Sequence, residues 1–212
     1  MIHPKSPKTK GFDLFAWLVL RYYAPARYKY GFHFKAYGEQ VFTPVIRKLI
    51  REAKPTNGEH YTVYLPAYGK QQLIEVLSQL PHTTWQVFSK RCGSKETVGN
   101  VVFHPIDQEH FIQLLSSGAG FLCGAGFEGP AEALFLGKKV AVVPMTGQYE
   151  QHLNAAAISE FGVPVIPKLN TGAIRQLKDW INHPGITPVN FPDETKDILL
   201  RILNDFSSRR IR

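Results

Sequence analysis

The chain is short of cysteine, of long apolar runs and of repeated pattern, and each shortage excludes something. Only two of its 212 residues are cysteine, Cys92 and Cys123, far apart in sequence. Two distant cysteines make no disulfide framework, so free thiols in a reducing cytoplasm are expected. No stretch approaches the about 20 apolar residues needed to span a bilayer. The longest candidate, residues 14–20, lies between Asp13 and Arg21. The first residues lack the pattern of a secretory signal. No internal repeat, low-complexity tract or heptad is present, which excludes solenoids and coiled coils.

What is present is a chain that is 44% hydrophobic, long enough for one large domain or a domain with an extension. Its net charge of +8 is unevenly placed. Residues 1–54 hold 11 Lys and Arg against Asp13, Glu39 and Glu52, whereas residues 55–212 hold 14 of each sign. The same first quarter carries 11 of the 26 aromatics, Trp17, Tyr22, Tyr28 and Phe32 among them. Basic charge interleaved with aromatics fits an anionic membrane surface. It also fits a nucleic acid, or aromatic packing against another domain or protomer. The neutral remainder of the chain argues against nucleic acid.

Pro55-Thr56-Asn57-Gly58 is a turn signal and the expected boundary between a helical N-terminal extension, 1–54, and an α/β domain, 55–212. In the extension, residues 12–23 and 44–54 read as helices, the second with Val45, Ile46, Leu49 and Ile50 on one side. Beyond the turn, apolar runs at 61–65, 85–89, 100–103, 121–123, 140–144 and 163–166 read as strands. Helical patterns at 70–80, 107–116, 128–136, 148–161, 170–182 and 192–206 alternate with them. That alternation predicts a Rossmann-like, mostly parallel sheet of about six strands with helices on both faces.

The most informative stretch is 121–163. It combines the turn Gly124-Ala125-Gly126, Glu132 in the following helix, Leu136-Gly137, a strand ending in Pro144, the polar turn with Gln148, Glu150 and Gln151, and Asn154-Ala155. In order and spacing these resemble the nucleotide-sugar half of GT-B glycosyltransferases. Within that class the stretch looks like the family 28 branch, which includes the lipid-linked N-acetylglucosaminyltransferase of peptidoglycan synthesis. The resemblance is strongest over residues 101–165. It implies one half of a GT-B fold and a UDP-sugar as donor, with no cofactor or metal held by the protein.

The resemblance also implies roles. Gly124, Ala125, Gly126 and Phe127 would present backbone N–H groups to a diphosphate at a helix start. Glu132 would accept both ribose hydroxyls, although a solvated first-turn glutamate is the plainer alternative. Gln148, Glu150 and Gln151 would meet the sugar, and Asn154 would hold the helix start. In the loop His104-Pro105-Ile106, backbone atoms would read the base and Ile106 would cover its ring. The spacing of His104, Asp107 and His110 is only a superficial metal pattern. Leu65 to Lys70 replaces the family's Gly/Ser-rich phosphate loop with one Gly and a Pro. Gly124-x-Gly126-x-x-Gly129 matches the dinucleotide fingerprint but follows the wrong strand.

No nucleophile–base arrangement is evident. That fits inverting transfer, where the acceptor is the nucleophile and no covalent enzyme intermediate forms; the resemblance implies that the catalytic base comes from the N-terminal domain. The acceptor half of such enzymes is expected as a missing N-terminal domain or a partner subunit, so catalytic residues stay unassigned. Two readings remain open: the donor half of a cytoplasmic glycosyltransferase, peripheral to the inner membrane face, and a non-catalytic nucleotide-sugar-binding subunit docking through residues 1–54. A sugar-nucleotide epimerase is a third, lacking its second domain and acids. The apolar face of 192–206 is expected to meet another domain or to drive homo-oligomerisation.

Overall fold

The computed structural model describes Leu18, Tyr22, residues 29–185 and residues 188–210. The helix expected at 12–23 therefore lies outside the described residues, except for Leu18 and Tyr22, both exposed. In chain order the strands are β1 (Gly31–Phe32), β2 (Val41–Phe42), β3 (His60–Tyr64), β4 (Thr84–Phe88), β5 (Glu96–Val98), β6 (Val101–His104), β7 (Gly120–Gly124) and β8 (Lys139–Val143). The helices are α1 (Lys48–Glu52), α2 (Lys70–Leu77), α3 (Gln108–Ser117), α4 (Glu128–Phe135), α5 (Tyr149–Ser159), α6 (Ile174–Asn182) and α7 (Thr195–Arg210).

β1 and β2 form a small parallel pair, and the other six strands form one sheet in the order β5-β6-β4-β3-β7-β8. All pairings in the large sheet are parallel except β5 with β6. From β3 the chain winds outward through β4 to β6, then returns across β3 to add β7 and β8. The direction of winding thus reverses between β3 and β7, and the crevice at their carboxyl ends is where such sheets hold ligands.

The buried residues obey the two-residue strand period. Phe121 and Cys123 of β7, with Val140 and Val142 of β8, pack among α1, α3, α4 and α5. The intervening Leu122, Ala141 and Val143 face the other way, with Val63, Trp85, Leu73, Leu77 and Leu177 of β3, β4, α2 and α6. Phe34, Ile46 and Ile50 belong to the first of these clusters, so residues on both sides of the Pro55–Gly58 turn share a core.

Two sequence expectations need correction. Residues 163–166 form no strand: a single parallel bridge joins Val165 to Val142, and Pro164 can supply only its carbonyl there. The sixth strand is instead polar β5, an antiparallel edge closed onto β6 by Gly99-Asn100, with Gly99 at φ 58°. Second, the helix expected from residue 44 begins only at Lys48, because Arg47 is extended (φ −57°, ψ 143°). Val45 and Leu49 are exposed, while Ile46 and Ile50 are buried.

Lys138 lies beneath this core with 1% of its surface exposed. Its Nζ donates to the Thr56 carbonyl at 2.5 Å and the Gly118 carbonyl at 2.9 Å, tying the 55–58 turn to the end of α3. Burial pushes its pKa below the ordinary lysine value.

Candidate functional site

A cavity of about 240 Å³ opens at the carboxyl edge of the sheet. Tyr64 at the end of β3, Phe88 at the end of β4, Ile106 after β6, Phe111 of α3, and Glu128, Gly129 and Glu132 of α4 line it, together with Arg47. It therefore adjoins the topological reversal, and two residues singled out in the sequence, Ile106 and Glu132, face the same space. Ile106 is half exposed and apolar, suited to lie on a flat ring. Cavities of about 290 and 500 Å³ are also present. They lie at the amino-terminal edge, beside Lys139 and Trp180 or between Pro81 and Asn182, where helices end instead of beginning. Size favours them, but the uncapped helix start and the polar residues converge on the smaller one.

The turn between β7 and α4 is built for close approach. Gly124 and Gly126 have ordinary negative or extended backbone angles, since neither is among the glycines of positive φ. Among the described residues a Cβ at Gly126 would meet nothing within 4 Å, and one at Gly124 would reach Gln151 Oε1 at 3.5 Å and the Val143 carbonyl oxygen at 4.0 Å. Neither turn conformation nor internal packing of the described residues requires glycine here. Ala125 is fully buried. Phe127 precedes α4, and no side chain of the described residues caps the helix, so its first N–H groups keep their capacity for an acceptor. Pro130 falls in the first turn, where a missing N–H removes no helical bond.

Glu132 is 3% exposed. Both its oxygens accept from Arg47, Oε1 from Nε at 2.5 Å and Oε2 from Nη2 at 2.8 Å. This hydrogen bonding raises the pKa of Arg47, against the effect of its partial burial. Sequence reasoning missed Arg47: it lies 85 residues from its partner, and no local pattern marks it.

The second polar cluster forms an adjoining rim. Gln151 accepts the Met145 N–H at 3.0 Å and donates to Gln148 Oε1 at 2.6 Å, closing the loop after β8. Asn154 donates to the Ala125 carbonyl at 3.2 Å, fastening α5 to the glycine turn. Glu150 is exposed. The structure thus brings the two sequence clusters together at one edge, with Gln151 held by two internal hydrogen bonds and Asn154 by one.

His104 is placed differently from Ile106. Its ring is buried, stacks on Phe88 at a centroid distance of 5.2 Å, and bonds Gln86 through Nε2 at 2.6 Å. His110 Nε2 lies 3.2 Å from His104 Nδ1. Burial first, then His110 and Lys95, pull the His104 pKa down to about 4. The side chain braces the cavity wall from behind. Asp107, the third residue of that spacing, caps α3 through the His110 N–H at 2.7 Å. Lys70 pairs with Glu96 and lies over the Phe103 ring, turned toward β5.

Among the described residues no helix is long and apolar enough to cross a membrane. The model of glycosyl transferase family 1 matches residues 9–183. No curated protein matches the sequence. Among solved structures, the glycotransferase of kitacinnamycin aligns with a TM-score of 0.51 and 18% identity, over 68% of this chain and 42% of that one. A spinosyn forosaminyltransferase aligns at 0.48 and 14%, over 68% and 42%. The glycosyltransferase VinC, solved in complex with dTDP, aligns at 0.48 and 15%, over 71% and 42%. The first of these shows a shared fold. The chain spans about 42% of the length of each.

Proposed function

The chain belongs to glycosyl transferase family 1, and from that premise we propose that it forms the donor-binding half of an inverting GT-B glycosyltransferase that uses a UDP-sugar. The observation that carries this reading is that Ile106 and Glu132 line one cavity beside the uncapped start of α4. Ile106 covers the base, and Glu132 accepts from the ribose hydroxyls. The N–H groups of residues 124–127 and the α4 dipole hold the diphosphate. Glu150 and Gln151 face the sugar. An acceptor hydroxyl supplied from outside this half attacks the anomeric carbon, its proton passes to a base that also lies outside this half, and the bond from that carbon to the diphosphate oxygen breaks. The chain's contribution is to orient the donor and to stabilise the charge that develops on departing UDP. The family 28 branch would make N-acetylglucosamine the first sugar to try.

A second reading, a nucleotide-sugar-binding subunit that docks on a partner, draws on α7. Its Leu199, Leu203 and Phe206 are each more than half exposed, an apolar surface of the kind that meets another protein.

Calorimetric titration with UDP, UDP-N-acetylglucosamine, GDP and NAD, on wild type and Glu132→Ala, tests the donor reading. Saturable UDP binding, weakened about tenfold or more by Glu132→Ala, is expected for loss of a charged hydrogen-bond acceptor. Folded wild-type protein that binds none of the four contradicts it.

A further inference from the structure

Arg47 reaches the cavity from the segment ahead of α1, and its backbone is well anchored. Ile46 and Ile50 on either side are buried at 3% and 0% exposure. Arg51 donates to the Ile46 carbonyl at 3.2 Å and the Phe191 carbonyl at 2.8 Å. Two roles for the guanidinium then compete. As a free cation it would neutralise a diphosphate. It is not free: Glu132 takes Nε and Nη2, and the carboxylate of Glu128, on the same cavity wall, adds a second negative charge near it. One cation among two carboxylates is a poor anion trap.

The geometry fits the other role. A bidentate guanidinium fixes a carboxylate in plane and rotation. Each carboxylate oxygen has about two acceptor sites, and Arg47 uses one on each. The cavity exists with this pair in place. We propose that Arg47 is a positioning residue of the donor site, fixing the Glu132 carboxylate so that its remaining acceptor sites meet the vicinal diol of a ribose. The inference rests on the donor-binding reading above. It makes the segment upstream of α1 a part of nucleotide recognition.

The test compares UDP with 2′,3′-dideoxy-UDP on wild type, Arg47→Met and Arg47→Lys, with thermal unfolding of each protein as the check on folding. Wild type is expected to prefer UDP. Arg47→Met should lose about tenfold in UDP affinity and nothing in dideoxy-UDP affinity, so that the preference collapses. Arg47→Lys should behave like Arg47→Met, because a single ammonium cannot hold both oxygens. It carries the same comparison should Arg47→Met fail to fold. Equal losses for both nucleotides would place Arg47 on the diphosphate and overturn the proposal. So would full recovery in Arg47→Lys, no change, or tighter UDP binding in Arg47→Met, which would make the pair a block. Absence of UDP binding by folded wild type would overturn the donor reading itself.

Discussion

The rings of Phe34 and Phe127 lie 4.9 Å apart between centroids and are tilted by 49°. Phe34 belongs to the basic aromatic stretch, and Phe127 ends the glycine turn before α4, so that stretch packs directly behind the candidate phosphate turn. Phe34 is 2% exposed and also meets Phe161 edge-on. Replacing it with alanine removes a buried ring at a site walled by α4 and α5. Phe34→Ala is expected to lower unfolding stability by about 3 kcal/mol or more in urea titration. A loss under about 1 kcal/mol would mean that the stretch lies on the domain without entering its core.

Gly126 separates a conformational from a ligand-binding role for glycine. With no positive φ and open space at its Cβ position, Gly126→Ala should change stability by no more than about 0.5 kcal/mol. On the proposed donor reading UDP affinity should nevertheless fall several-fold, because the methyl group would stand where that reading brings a phosphate to the backbone. Thermal unfolding and calorimetry on one preparation check both halves, and unchanged affinity would remove the turn from the site.

The parallel core could be read in the sequence because its signals are local: apolar runs, Pro144, and a glycine at Gly137 with φ 69° ending α4. The glycosyltransferase assignment was legible for the same reason, since its marks lie within residues 121–155. What escaped was non-local or polar. β5 has no apolar run, although Gly99-Asn100 between Val98 and Val101 was a two-residue hairpin signal. Arg47 became visible only when folding joined the segment before α1 to α4. Lys138 carries no local mark of burial in the sequence, yet it is buried on two carbonyls.

His104 makes stability depend on pH. Its folded pKa is held at about 4, against 6.5 in the unfolded chain. As pH falls below 6.5 the unfolded state takes up a proton that the native ring, packed among Gln86, Phe88 and His110 and repelled by the charge of Lys95, resists until about pH 4. Stability should therefore fall with pH across that window, by up to about 3 kcal/mol from this residue. Above 6.5 the contribution is flat. In chemical denaturation between pH 4 and 8, His104→Phe should show a shallower decline than wild type; an identical slope would assign the decline to other groups.

Ile106 is half exposed and contributes little to the core. Ile106→Ser should leave the unfolding midpoint within about 0.5 kcal/mol of wild type. Nucleotide affinity should fall about three- to tenfold, the effect of losing one apolar contact with a ring. A stability loss without an affinity loss would assign the residue to packing alone.

Hydrogen exchange measured with and without UDP tests the central claim most directly. The account predicts slowed exchange at residues 124–129 and around Ile106, on the cavity that Glu132 lines. Protection confined to the amino-terminal edge, around Val165 and Trp180, or no protection at saturating UDP, would contradict it.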